Sequence, residues 1–140
     1  MKKIFIFLLV VAAVSAGCKK EKTSTSDISM DPVDTTAQLK FRGIFSSGPY
    51  GNTSGVARIY TKNNAYTLVL DSFSVSSGPD LHVYISKEKQ PVNFIDLGVL
   101  RTTNGTQVYT IQGMPDFMQY NFALIHCQQF NHLFGSASLQ

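Results

Sequence analysis

The sequence has no tryptophan and only two cysteines in 140 residues. Two cysteines are too few for a disulfide scaffold or a four-cysteine zinc site. Charge of one sign is also scarce. Twelve Lys and Arg stand against nine Asp and Glu, and a formal +3 is too small a surplus to mark a nucleic-acid-binding surface. There is no Gly-rich phosphate loop, no nucleophile elbow and no His-Glu-x-x-His. The absence of Cys-x-x-Cys-His excludes covalently attached c-type haem. A disordered chain is excluded as well, because 44% of residues are hydrophobic and only 15% are charged.

The one long apolar run is Ile4 to Val14, eleven residues, too short to span a bilayer as a mature helix. It follows the positive Met1-Lys2-Lys3 and precedes the small residues Ser15-Ala16-Gly17. That order is a secretory signal over 1–17. The leader holds 13 of the 61 hydrophobic residues, and without it the composition is that of an ordinary soluble domain. Removing Lys2 and Lys3 also lowers the net charge to +1, so the basicity belongs largely to the leader.

Val14-Ser15-Ala16-Gly17-Cys18 resembles a bacterial lipoprotein lipobox, with Ser15 where that motif usually has Leu. The resemblance implies a diacylglycerol on the Cys18 thiol, cleavage before Cys18 and further acylation of the new amine. Each buried CH₂ of an acyl chain adds about 0.8 kcal/mol, and stable anchoring takes more than one chain. The membrane partner is therefore reached through lipid on Cys18. Lys19, rather than Asp, follows the cysteine, which resembles an outer-membrane address. Residues 18–38 then read as a lipidated cysteine and a flexible tether, rich in Lys, Ser, Thr and Asp without hydrophobic periodicity. A coil of that length spans roughly 25 Å.

From Leu39 to the C terminus, segments rich in Val, Ile, Tyr, Phe and Thr alternate with Gly, Pro, Asn and Ser clusters. Strands are expected at Leu39–Phe45, Gly55–Thr61, Tyr66–Val75, Leu81–Ser86, Phe94–Leu100, Thr106–Gln112, Tyr120–Cys127 and about Gly135–Leu139. Eight short strands with no helical period predict an all-β domain over 39–140, an antiparallel β-sandwich or barrel-like fold. Asn104-Gly105 predicts a type I′ hairpin joining the strands on either side. Leu81, Val83 and Ile85 share one face of their strand, with His82, Tyr84 and Ser86 on the other. Both faces of Tyr120–Cys127 are largely apolar, which predicts a central strand covered on both sides.

Chemistry is concentrated in few residues. With Cys18 acylated, Cys127 has no cysteine partner in its own chain. An exported protein meets an oxidising compartment, so a lone thiol there is either deeply buried core or a used group. His82, His126 and His132 are the only histidines. His126 and Cys127 are adjacent in a strand and so face opposite sides. A metal centre from Cys127, one His and Asp80 has only a weak spacing signal. The tyrosines fit half-buried strands and need no role as an electron path.

Several segments then fall into a familiar order: Gly43-Ile44-Phe45, Leu68-Val69-Leu70-Asp71-Ser72-Phe73, Ser77-Gly78-Pro79-Asp80-Leu81-His82-Val83-Tyr84, and Ala123-Leu124-Ile125-His126-Cys127-Gln128-Gln129-Phe130. Together they resemble the DM-thirteen domain, known beside DOMON modules in Skeletor-type animal proteins and found in bacteria. The resemblance covers about residues 41–139. It implies an all-β domain with a role in extracytoplasmic electron transfer and a redox partner protein. The family's signature cysteine falls on Cys127, as a free thiol or as a holder of a prosthetic group such as haem. Asp80 and His82 become second-rank candidates to tune it, and Asp80 is also expected to cap backbone amides in the Gly-Pro-Asp turn. The competing reading is a non-catalytic cell-surface binding module. Its loops Ser46–Ser54 and Lys87–Asn93 would meet a protein or glycan, with Cys127 as core packing.

Overall fold

The computed structural model describes residues 31–140. The leader, the Cys18 site and most of the tether lie outside the described residues. The described chain forms eight strands and no helix: β1 (Gln38–Ser47), β2 (Thr53–Lys62), β3 (Ala65–Val75), β4 (Leu81–Ser86), β5 (Phe94–Val99), β6 (Asn104–Ile111), β7 (Phe122–Cys127) and β8 (His132–Ser138). The all-β, eight-strand expectation holds. Every pairing is antiparallel, in the order β5-β4-β7-β8-β1-β2-β3-β6. The sheet curls until its end strands β5 and β6 approach without pairing, which makes a nearly closed barrel.

Alternation sets the inside of this barrel. Leu81, Val83 and Ile85 of β4, and Ala123, Ile125 and Cys127 of β7, join Ile59, Leu68, Leu70, Phe73 and Tyr109 in one buried cluster. Fully burying a residue of this size contributes about 1.5–3 kcal/mol. The central position of β7 also holds. Its outward residues Phe122 and Leu124 pack with Tyr84 and Leu133 in a second, smaller cluster. The curl needs local relief. At Gly55 the β2–β3 register shifts, φ is 112°, and an added Cβ would lie 2.8 Å from Phe73 Cα.

The hairpin expectation at Asn104-Gly105 is overturned. These residues lie within β6, opposite Ser74 and Phe73 of β3, and only Gly105 of the two has positive φ. Strand β5 instead pairs with β4, so the link from β5 to β6 crosses the open seam of the barrel. Gly105 serves a bulge beside Phe73 rather than a turn. The two-residue turn with both central residues at positive φ is Asn63-Asn64 (50° and 61°), joining Lys62 of β2 to Ala65 of β3.

Of residues 31–37, read from the sequence as the end of the tether, Asp31 meets the seam, and residues 32–37 then cross the outer face beside Tyr60, Thr67 and Val69. The Asp31 amide donates to Thr106 O (3.0 Å), and Asp31 Oδ2 accepts from the Val108 amide (2.9 Å) and Arg101 (2.7 Å). A free edge strand is a template for unwanted pairing, and this strap occupies part of the β6 edge.

Candidate functional site

Strands β4 and β7 pair with His82 opposite His126 and Leu81 opposite Cys127. The first pair faces outward and the second inward, so one register builds two different environments back to back. Cys127 is a free cysteine, 1% exposed, within the main core. Burial of this kind makes a thiol inert to bulky reagents.

On the outer face, His82 is held between two carboxylates. Its Nδ1–H donates to Asp96, whose oxygens lie at 3.0 and 3.1 Å, and its Nε2 lies 3.4 Å from Asp80 Oδ1. The Asp80 carboxylate thus turns to His82, in place of the backbone capping expected for it. Asp96 is fixed in turn by the Gly98 amide (2.8 Å) and by Gln128 Nε2 (2.9 Å).

His126 is 3% exposed, and among the described residues neither ring nitrogen completes a hydrogen bond. Its ring lies 5.4 Å from that of Tyr84, centroid to centroid. Desolvation pushes its pKa below the ordinary imidazole value, and the Asn131 carboxamide, near enough to polarise the ring but without completing a hydrogen bond to it, opposes that shift. The charges of His132 and His82 add to the lowering. The ring is therefore neutral at pH 7, with one donor and one acceptor nitrogen.

Around His126 runs an open groove of about 360 Å³, lined by Tyr84, Pro91, Phe94, His126, Gln128 and Asn131. Phe94, 42% exposed, stacks on Tyr84 with centroids 4.3 Å apart and planes 24° from parallel. Burial raises the Tyr84 hydroxyl pKa against the opposing effect of Gln128, with the Asp96 and Asp80 charges adding to the rise, so this group also stays neutral.

The structure brings Asp80 and His82 together but sets Cys127 on the other side of the same sheet. Among the described residues, no group of three His, Cys, Asp or Glu could hold a metal ion. Sequence reasoning did not find Asp96, Phe94, Gln128 or Asn131 as neighbours of His82 and His126. Asn131, at positive φ (54°) in the turn after β7, carried the one available signal.

The Electron transfer DM13 family model matches residues 44–139. The chain belongs to this family. No curated protein and no solved structure gives a match. The match spans the barrel from β1 to the end of β8, Cys127 included. A haem held by the DM13 cysteine can be tested against the geometry. Cys127 points into packed core and lines neither the Tyr84 groove nor the cleft at Gly78–Leu81 and Val99–Thr103. A haem could not reach its sulfur without displacing the core, so the residues around Cys127 do not fit that group.

Proposed function

We propose that this chain is a lipid-anchored electron-transfer module of the bacterial cell envelope, anchored through Cys18 and using Cys127 as its redox thiol. The observation that supports it is the DM13 match over 44–139, which includes Cys127 as the free cysteine of the described residues. The lipobox-like Val14–Cys18 supports the anchor, and Lys19 after the cysteine favours the outer membrane. Its redox step is exchange with a disulfide of a partner protein: the Cys127 thiolate attacks one partner sulfur, a mixed disulfide forms, and the partner's other sulfur leaves as a thiolate. Burial narrows how it works. A thiol 1% exposed meets a partner only when the chain around it opens.

One observation favours a second reading. The same burial suits Cys127 as a small core hydrophobe in a non-catalytic binding module. Iodoacetamide labelling of the native full chain separates the two. Electron transfer through Cys127 predicts labelling much faster than global unfolding, because a local opening suffices. Labelling no faster than unfolding, with no visible chromophore, overturns it in favour of core packing. The anchor is tested in the same preparation. Cys18→Ser should leave the membrane fraction, and a variant still sedimenting with membranes after a salt wash sinks the anchor.

A further inference from the structure

The groove over His126 is not used by the Cys127 chemistry and has its own logic. A buried polar side chain without a partner costs free energy, and buried polar groups are normally satisfied. Here, among the described residues, both ring nitrogens of His126 are unpartnered, while the ring lines a groove of small-ligand size. Phe94 presents its exposed ring along it, backed by the buried Tyr84 ring on which it stacks, and Pro91 adds a further apolar surface. The remaining lining side chains are the neutral amides of Gln128 and Asn131, with no Lys, Arg, Asp or Glu.

We propose that this groove binds a small, uncharged, hydroxylated aromatic ring, with the His126 imidazole as its hydrogen-bond partner. The stacked rings of Tyr84 and Phe94 select a flat apolar body. A neutral imidazole offers one donor and one acceptor, which a hydroxyl matches because it also does both. The lining gives an anionic ligand no counter-charge, with the Asp96 carboxylate behind Gln128, and makes it lose its hydration. Gln128 and Asn131 are the polar side chains of the lining, and a hydroxyl reaches the buried His126 ring only as they move. Gln128 is also bonded to Asp96, so occupancy of the groove is felt at the Asp96–His82 pair.

The test uses the full chain in a Cys18→Ser background, which removes the lipid and the need for micelles. The probes are 2-naphthol, naphthalene and 2-naphthoate, and the readouts are the dissociation constant and the His126 ring nitrogen resonances. The expected result is 2-naphthol binding at least tenfold tighter than naphthalene, no 2-naphthoate binding, and a 2-naphthol-dependent shift of the His126 resonances. In His126→Phe the two uncharged probes should bind within about twofold of each other, and the ligand-free melting temperature should rise. If His126→Phe does not fold, Phe94→Ala at the exposed mouth is the second variant, with binding at least fivefold weaker expected. No 2-naphthol binding up to its solubility limit, equal binding of naphthol and naphthalene to the parent chain, or unshifted His126 resonances would each overturn the proposal. Unchanged naphthol binding in the folded variant would do so too. Cys127→Ser should leave naphthol binding unaltered, so the groove and the thiol stand or fall separately.

Discussion

Two buried polar side chains of this barrel, Gln107 and His126, are 1% and 3% exposed and are treated in opposite ways. Gln107 sits where the barrel fails to close. Its Nε2 donates to Thr102 O (2.8 Å), and its Oε1 accepts from the Thr102 amide (3.3 Å) and the Tyr109 hydroxyl (2.8 Å). These bonds tie the β5–β6 link to β6 across a seam with no strand pairing. His126 sits inside the sheet, opposite His82 on one side and, just past a register shift, opposite Leu133 on the other, and among the described residues its side chain completes no hydrogen bond. The Gln107 amide is part of how the fold holds. The His126 imidazole completes no such bond among the described residues, and it is to this ring that the proposed ligand is assigned.

The largest effect that tests this contrast is at the seam. Gln107→Met keeps the volume and removes three hydrogen bonds, leaving Thr102 groups unpaired. At about 1 kcal/mol for each bond, the loss is about 3 kcal/mol. Urea denaturation should show a lower midpoint with an unchanged slope. A change within about 0.5 kcal/mol would show the seam bonds to be ornamental and would erase the contrast.

Next in size is the inner face behind His126. Cys127→Ser places a hydroxyl among core side chains, at a cost of about 1–3 kcal/mol for a buried group without a partner. Cys127→Ala leaves only a small cavity and should cost less than Cys127→Ser. If Ser and Ala prove equally mild, the site is wetter than its burial indicates, and the inward and outward environments of β7 are less different than their packing implies.

How much of this was legible in the sequence follows from the range of each interaction. The β4 pattern Leu81-His82-Val83-Tyr84-Ile85 showed its inner and outer faces, because alternation is local. The two-sided burial of β7 was legible for the same reason, as was the opposite orientation of His126 and Cys127. Asn104-Gly105 misled, because a glycine wanted at positive φ serves a bulge as well as a turn, and only the pairing of β6 with β3 decides between them. The pairing of β4 with β7, about forty residues apart, was not legible, and it alone places His126 opposite His82 and beside Tyr84. Nor could the missing partners of His126 be read from sequence. They depend on where Phe94, Gln128 and Asn131 arrive from two separate segments.

The smallest expected effect is also the most specific to the outer face. His126 is neutral in the fold because desolvation lowers its pKa, while in the unfolded chain it titrates near the ordinary 6.5. As pH falls below that value, the unfolded state takes up a proton that the folded state refuses. Stability attributable to this ring is thus fully present above about pH 6.5 and declines as pH falls, by at most about 1.4 kcal/mol per pH unit. His126→Phe removes the proton uptake and also relieves the unpaired nitrogens. It should exceed the parent chain by about 1 kcal/mol at pH 7.5, and the gap should widen at pH 5. His82 and His132 are present in both chains, so the difference between the two stability curves isolates His126. A gap that stays constant with pH would mean that the ring is protonated or paired within the fold, and the contrast with Gln107 would then be one of degree.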